Sequence, residues 1–334
     1  MANILVLGGT GWLGRIVAEK ALSAGHCVTA LARGQTGDFP AGVSAVVGDR
    51  DAPGVYAPLA GTRWDLVVEL TRIPAHAGPA VQTIQAEDWV FVSSCSVYAN
   101  HSVPGEGEEV ALLEPLDSSA DYTTELYGEA KSACEKLTVQ ARGGRALMVR
   151  PGLIGGPGDP SGRSTYWPLR LADAREPVLL PQDDGDYRQS VQIIDARDLA
   201  AFILTAGLAG RTGAVNAVGA SIPLDEALLA AQAAAGTEPA LVRYPLSRMA
   251  DDGVAPWSGP RSLPLVLPPG PEHAGFARRS DAMALSLGLE RRSLEESFRD
   301  IIAFDEPWDG RQLASGLSAP DEAALMRLQV GWKA

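Results

Sequence analysis

Cysteine is scarce in this chain: three in 334 residues, at Cys27, Cys95 and Cys134, an odd number with no ligand-like spacing. That argues against a disulfide framework or a thiolate metal centre and fits a reducing compartment. Positive charge is short as well. Against 41 acidic residues stand 28 Lys and Arg, a formal net charge of −13. Such a surface repels a phosphate backbone, so nucleic acid is disfavoured as a partner. No apolar run approaches the length of a membrane span, and the first strand has neither the basic start nor the cleavage site of a signal peptide. Internal repeats and low-complexity tracts are missing too. The expectation is a soluble cytoplasmic protein with no metal, whose 46% hydrophobic content fills one large or two ordinary cores.

What is abundant is glycine, and its placement near the start organises the rest. Asn3 to Leu7 is a short branched apolar run, long enough for a buried strand and too short for a helix. Gly8-Gly-Thr-Gly-Trp-Leu-Gly14 follows directly, and then Arg15 to Leu22 places Ile16, Val17, Ala21 and Leu22 at helical spacing. Cys27 to Leu31 reads as a second strand. A strand, a glycine turn fitting G-x-G-x-x-G, a helix and a strand within about thirty residues is the context of a dinucleotide site. The turn needs backbone angles that a Cβ forbids, and the helix N-terminus offers unpaired N–H groups to a pyrophosphate.

Further strands are predicted at Ser44–Gly48, Trp64–Leu70, Trp89–Val92 and Arg145–Val149, alternating with helical stretches. This alternation predicts an α/β fold: a Rossmann doubly wound parallel sheet, residues 1–158, and a smaller C-terminal α+β substrate lobe, residues 159–334. A strand or helix around 188–210 is expected to return to the first domain. Helices are predicted at 76–85, 166–174, 196–209, 224–235 and 294–304, and a strand at 189–194. Six prolines from Ala255 to Pro271 predict an irregular loop over the substrate cleft or at the domain edge.

Arg33 stands at the end of the second strand, where an acid would accept from the adenosine ribose and an Arg suits a 2′-phosphate, so NADP(H) is favoured over NAD(H). Asp49 is a candidate acceptor for an adenine amino group or, equally, a cap for the next turn. Ser93 to Ser96 lie at the carboxyl end of a strand, where ligands bind in such sheets. Tyr127 and Lys131 are four apart on one helical face. A phenol near pKa ~10 is a poor base unless positive charge sits beside it, which Lys131 and an oxidised nicotinamide would supply.

Together, Gly8–Gly14, Gly48-Asp49, Val92–Tyr98, Tyr127-Gly-Glu-Ala-Lys131, Arg150–Pro157 and Ile194–Ala200 resemble the motifs of the extended short-chain dehydrogenase/reductases, the NAD-dependent epimerase/dehydratase-like family. The resemblance implies Ser94, Tyr127 and Lys131 as catalytic residues. Tyr127 would exchange the proton, Lys131 would tune it and hold the nicotinamide ribose, and Ser94 would bond the reacting oxygen. Pro151 and Gly152 would lie near the carboxamide. Candidate cofactor contacts are then Gly8, Thr10, Gly11, Trp12, Leu13, Gly14, Arg33, Asp49, Arg50, Leu70, Tyr127, Lys131, Pro151 and Gly152; candidate substrate contacts are Thr71, Arg72, Tyr98, Leu153, Trp167 and Arg188. Two departures bear on the reaction. Cys95-Ser96 stands where the family's 4,6-dehydratases carry Asp-Glu, which argues against dehydration. Asp195 stands where nucleotide-sugar epimerases carry His, with Arg188 displaced by three positions. The leading expectation is an NADP(H)-dependent oxidoreductase of carbonyl reductase or alcohol dehydrogenase type on a small polar, sugar-derived substrate. A sugar epimerase is the alternative, and a dinucleotide-sensing or RNA-associated protein is the alternative of another class. A homodimer is left open.

Overall fold

The structure is a computed structural model that describes the whole chain except residues 36, 118, 119, 174, 176, 187 and 329–334. The expected helix end at Ala174 falls outside the described residues.

The N-terminal unit is built as the branched apolar runs dictate. Strands β1 (Asn3–Leu7), β2 (Cys27–Ala32) and β3 (Ser44–Val47) are linked by helix α1 (Trp12–Ser23) between the first two. A short turn of helix, α2 (Ala57–Ala60), leads into β4 (Arg63–Glu69), α3 (Pro74–Thr83), β5 (Gln85–Val92), α4 (Tyr127–Arg142) and β6 (Leu147–Val149). Side chains alternate across the pleat, so one strand feeds two cores. Ile4 and Val6 pack with Val17 and Ala21 of α1, while Leu5 and Leu7 pack with Ala77 and Ala80 of α3 and Cys134 of α4.

Strand β7 (Leu153–Gly155) comes just before residue 158, and past that point come α5 (Tyr166–Ala172), β8 (Val178–Gln182), β9 (Ser190–Asp195), α6 (Ala196–Leu208) and β10 (Gly213–Val215). The central sheet has the order β10-β6-β5-β4-β1-β2-β3, and every pairing in it is parallel. Helix α6 packs on the first face, its Phe202 and Ile203 beside Leu66 and Val90. The elements that rejoin the sheet are thus α6 and a strand at 213–215, the latter beyond the 188–210 range read from the sequence.

The remaining lobe holds β11 (Ser221–Pro223), α7 (Leu224–Ala235), β12 (Leu241–Pro245), β13 (Ala255–Trp257), β14 (Ser262–Pro264), α8 (Ala282–Ser286), α9 (Leu294–Phe304) and α10 (Ala319–Arg327). Its sheets are small: β11-β9-β7, β12-β8 and β13-β14. A third core of Trp167, Leu179, Tyr244, Phe298 and Trp308 fills it. The proline-rich stretch is therefore not wholly irregular. It carries a parallel strand pair and three non-glycine residues with left-handed backbone, Trp257 (φ 69°), Arg261 (φ 52°) and Leu265 (φ 71°).

Candidate active site

The strand order reverses between β1 and β4, which opens a crevice at their carboxyl ends. A cavity of about 980 Å³ occupies that crevice and runs on toward the C-terminal lobe. It lies at the upper end of the range for ligand sites, enough for a cofactor with a small molecule beside it.

One wall is the glycine turn. Gly8 sits at φ 106°, a conformation that side chains avoid. A Cβ on Gly14 would overlap the Gly8 carbonyl oxygen and lie 2.9 Å from its carbon, so glycine there lets α1 spring straight from the turn. Helix α1 has no side-chain cap and no acid in its first turn. Gly11, Trp12, Leu13 and Gly14 all line the cavity. An uncapped twelve-residue helix aimed at a cavity presents orphan N–H groups and a positive dipole end, which fits the pyrophosphate of a dinucleotide. The Trp12 indole donates to Pro157 O at 3.0 Å and ties this turn to the loop after β7.

Opposite stand the residues expected to do chemistry. A Cβ on Gly128 would overlap the Ser96 carbonyl oxygen, so the glycine lets the start of α4 press against the turn that follows β5. That approach brings Tyr127 and Ser94 to the same wall of the cavity. Ser94 Oγ accepts from Ser96 N and donates to Ser96 Oγ, each at 3.1 Å. Burial pushes the Tyr127 phenol above its ordinary value; the nearby Ser94 hydroxyl, then the charges of Arg72 and Arg163, draw it back down. Arg163 was not singled out in the sequence. Lys131, one turn along, is 4% exposed. Its Nζ donates to Val92 O at 2.6 Å and Thr71 O at 2.8 Å, clamping the ends of β5 and β4. Burial lowers its pKa to about 8. Two of its three protons are committed to those carbonyls, which leaves one for a ligand in the cavity.

Every residue expected to contact the cofactor lines this cavity, from Gly8 and Thr10 through Arg33, Asp49 and Leu70 to Pro151 and Gly152. Arg50 does so with its donors already engaged. It pairs with Glu69 at 2.8 and 2.6 Å, and bonds Tyr56 Oη at 2.7 Å and His76 O at 3.1 Å. It is a wall, with no fork left for a phosphate. Asp49 caps its own turn, accepting from Asp51 N at 3.1 Å. Arg33 is exposed and makes no ion pair among the described residues.

The substrate expectations divide. Thr71, Arg72 and Leu153 line the cavity, whereas Tyr98, Trp167 and Arg188 do not. Tyr98 is 1% exposed and donates to Asn216 Oδ1 at 2.5 Å. Trp167 is 1% exposed in the C-terminal core, its indole satisfied by Pro264 O at 2.7 Å. Arg188 faces a separate cavity and approaches Asp225 at 3.4 Å. For Tyr98 and Trp167, an internal acceptor made burial cheaper than exposure to a ligand. Asp195 is buried and held by Arg197 and Ser297, so it too is structural. Among the described residues no cluster of His, Cys, Asp and Glu could hold a metal, and no helix is long and apolar enough to cross a membrane.

Residues 71–219 match the model of the NAD dependent epimerase/dehydratase family. No curated protein matches the chain significantly in sequence. Solved structures share its fold at low identity. A protein of Burkholderia cenocepacia J2315 is 19% identical with a TM-score of 0.69, the match covering 90% of this chain and 97% of that one. The UDP-Glc/GlcNAc 4-epimerase of Campylobacter jejuni is 15% identical, TM-score 0.66, covering 91% and 99%. The Bordetella bronchiseptica enzyme WbmH, solved with NAD+, is 17% identical, TM-score 0.62, covering 91% and 98%.

Proposed function

We propose, from the membership of residues 71–219 in the NAD dependent epimerase/dehydratase family, that the chain is a nicotinamide-dependent epimerase of a hydroxyl-bearing, sugar-derived substrate. The observation that carries this reading is that Ser94, Tyr127 and Lys131 line the same cavity as the uncapped start of α1. A bound nicotinamide ring would supply the hydride acceptor for the carbinol carbon and the donor for its return. Tyr127 takes the hydroxyl proton as that carbon is oxidised to a carbonyl, and gives it back as the carbonyl is reduced on its other face. Ser94 donates to the same oxygen while its charge changes. Lys131 keeps a positive charge beneath the strand ends and directs its remaining N–H at the ligand. Cys95 and Ser96, in place of an acid pair, leave no group to expel water, so dehydration is set aside.

Net reduction is the second reading, and Arg33 is what favours it. An exposed arginine at the end of β2, lining the cavity, suits a 2′-phosphate and so an exchangeable NADP(H). The 4-epimerase of Campylobacter jejuni and the family match support epimerisation over it. One experiment separates the two. The purified chain is incubated with a panel of sugars and sugar acids plus NAD(P)+ or NADPH, following carbon configuration by NMR and the nicotinamide absorbance together. Inversion at one carbon with no net absorbance change is expected. Stoichiometric loss of NADPH absorbance with no inverted product would establish the reductase instead. In the same preparations, Arg33→Ala should narrow the preference for NADPH over NADH.

A further inference from the structure

Two guanidinium groups reach the cavity beside Tyr127 and lack the partner that arginines near a protein interior ordinarily have. Arg163 lies between β7 and α5, partly buried. Its Nε donates to Ser161 Oγ at 3.1 Å and its plane rests over the Trp257 ring at 5.1 Å. Its terminal nitrogens meet no protein acceptor, and no carboxylate stands within 4.0 Å, among the described residues. The acid that acts on it is Asp159, whose oxygens already accept from Ser161 N, Ser164 N and Ser164 Oγ. Arg72 follows β4 directly, exposed, over the Tyr122 ring at 5.4 Å and likewise without a carboxylate.

The surroundings hold Arg163 in place. Trp257 keeps its left-handed backbone (φ 69°) and meets Phe276 edge-on at 5.3 Å, and both rings line the cavity. Strain of that kind persists where packing over-determines it, and it clusters at ligand clamps. Burial also depresses the Arg163 charge, a cost that an arriving anion would relieve. In a chain of net charge −13, a cationic spot of this kind attracts small anions that the rest of the surface repels.

We propose that Arg72 and Arg163 together hold a carboxylate of the substrate beside Tyr127, so that the chain takes a hydroxy acid or sugar acid in preference to a neutral sugar. This rests on Tyr127 being the proton-exchanging group. The guanidinium fork matches a carboxylate bidentately, which would fix the neighbouring hydroxyl-bearing carbon against the phenol.

The test is calorimetric titration of the full chain loaded with NADP+, using matched probes: gluconate against sorbitol, and lactate against propane-1,2-diol, with UDP as a third arm. At least one carboxylate should bind tenfold or more tightly than its neutral twin. Arg163→Met and Arg72→Met should each remove that advantage while leaving NADP+ affinity within threefold of wild type. Equal binding within both pairs would overturn the proposal, as would an advantage that survives both variants. Loss of NADP+ affinity would assign the arginines to the cofactor. UDP binding more tightly than either acid, with the loss falling on Arg163→Met, would assign them to a diphosphate. Tyr127→Phe should keep the carboxylate advantage and lose turnover, so a variant that keeps both would sink the catalytic reading and spare this one.

Discussion

Gly11 and Gly14 look equivalent in the glycine turn, yet the structure predicts opposite failures when each becomes alanine. At Gly11 the backbone is extended (φ −69°, ψ 156°), and an added Cβ would meet only the Gly8 carbonyl oxygen, at 3.5 Å. That is ordinary contact, so Gly11→Ala should fold within about 0.5 kcal/mol of wild type. Its methyl would nonetheless stand on the cavity side of an uncapped helix start, where phosphate oxygens would take charge-assisted bonds worth roughly 1.5–3 kcal/mol each. Losing one of them corresponds to a roughly 10- to 150-fold weaker dinucleotide. At Gly14 the Cβ would lie 2.9 Å from the Gly8 carbonyl carbon and 3.2 Å from Gly9 Cα, and backbone cannot step aside as a side chain can. Gly14→Ala should therefore cost about 1–3 kcal/mol through overpacking, lowering the melting temperature by several degrees. Urea titration and NADPH fluorescence on the same three proteins give both readouts. A Gly11→Ala protein that binds NADPH like wild type would refute the placement of a pyrophosphate on α1.

Tyr127→Phe should leave dinucleotide affinity intact and cut turnover by about 10²–10⁴, the usual worth of a positioned acid/base, measured under saturating cofactor. Lys131, held near pKa 8 against an ordinary 10.5, destabilises the fold by about 3 kcal/mol. That penalty is fully present below about pH 8 and fades as pH climbs toward 10.5, because there the unfolded chain binds the extra proton. The stability gap between wild type and Lys131→Met should thus change across that window in urea melts, and a flat difference would contradict the assignment. Arg150 and Glu135 form a buried pair at 2.7 Å, with side chains 6% and 5% exposed. Arg150→Met should cost about 3–5 kcal/mol, since it strands a buried carboxylate, and adding Glu135→Gln should recover part of the loss in the same assay.

Much of this fold could be read from the sequence, and the reason is local. Helices α7 and α9 begin and end where their spacing and caps say, Ser293 and Glu296 closing a capping box at the start of α9. Ser94, Tyr127 and the glycine turn share a cavity because each sits at a strand end or the first turn of a helix, positions that the parallel sheet itself aligns. Arg163, Trp257 and Phe276 escaped notice because loops bring them together across more than a hundred residues, with no periodicity to mark them. Strand β10 is three residues of Gly-Ala-Val, and only its distant partner β6 makes it a strand. Tyr98 and Trp167 were chosen by residue type; Asn216 and the Pro264 carbonyl, both remote in sequence, decided their burial.

Strand β10 and helix α6 lie beyond the first lobe in sequence yet complete its sheet and its first face. Scissors applied between residue 158 and α6 would strip β6 of its outer neighbour and bare the apolar side of the sheet. The two halves consequently cannot be shuffled among relatives as separate cassettes. New specificities in such a lineage must arise by rewriting the loops around the crevice, the stretch bearing Trp257 among them, while the braid beneath stays whole.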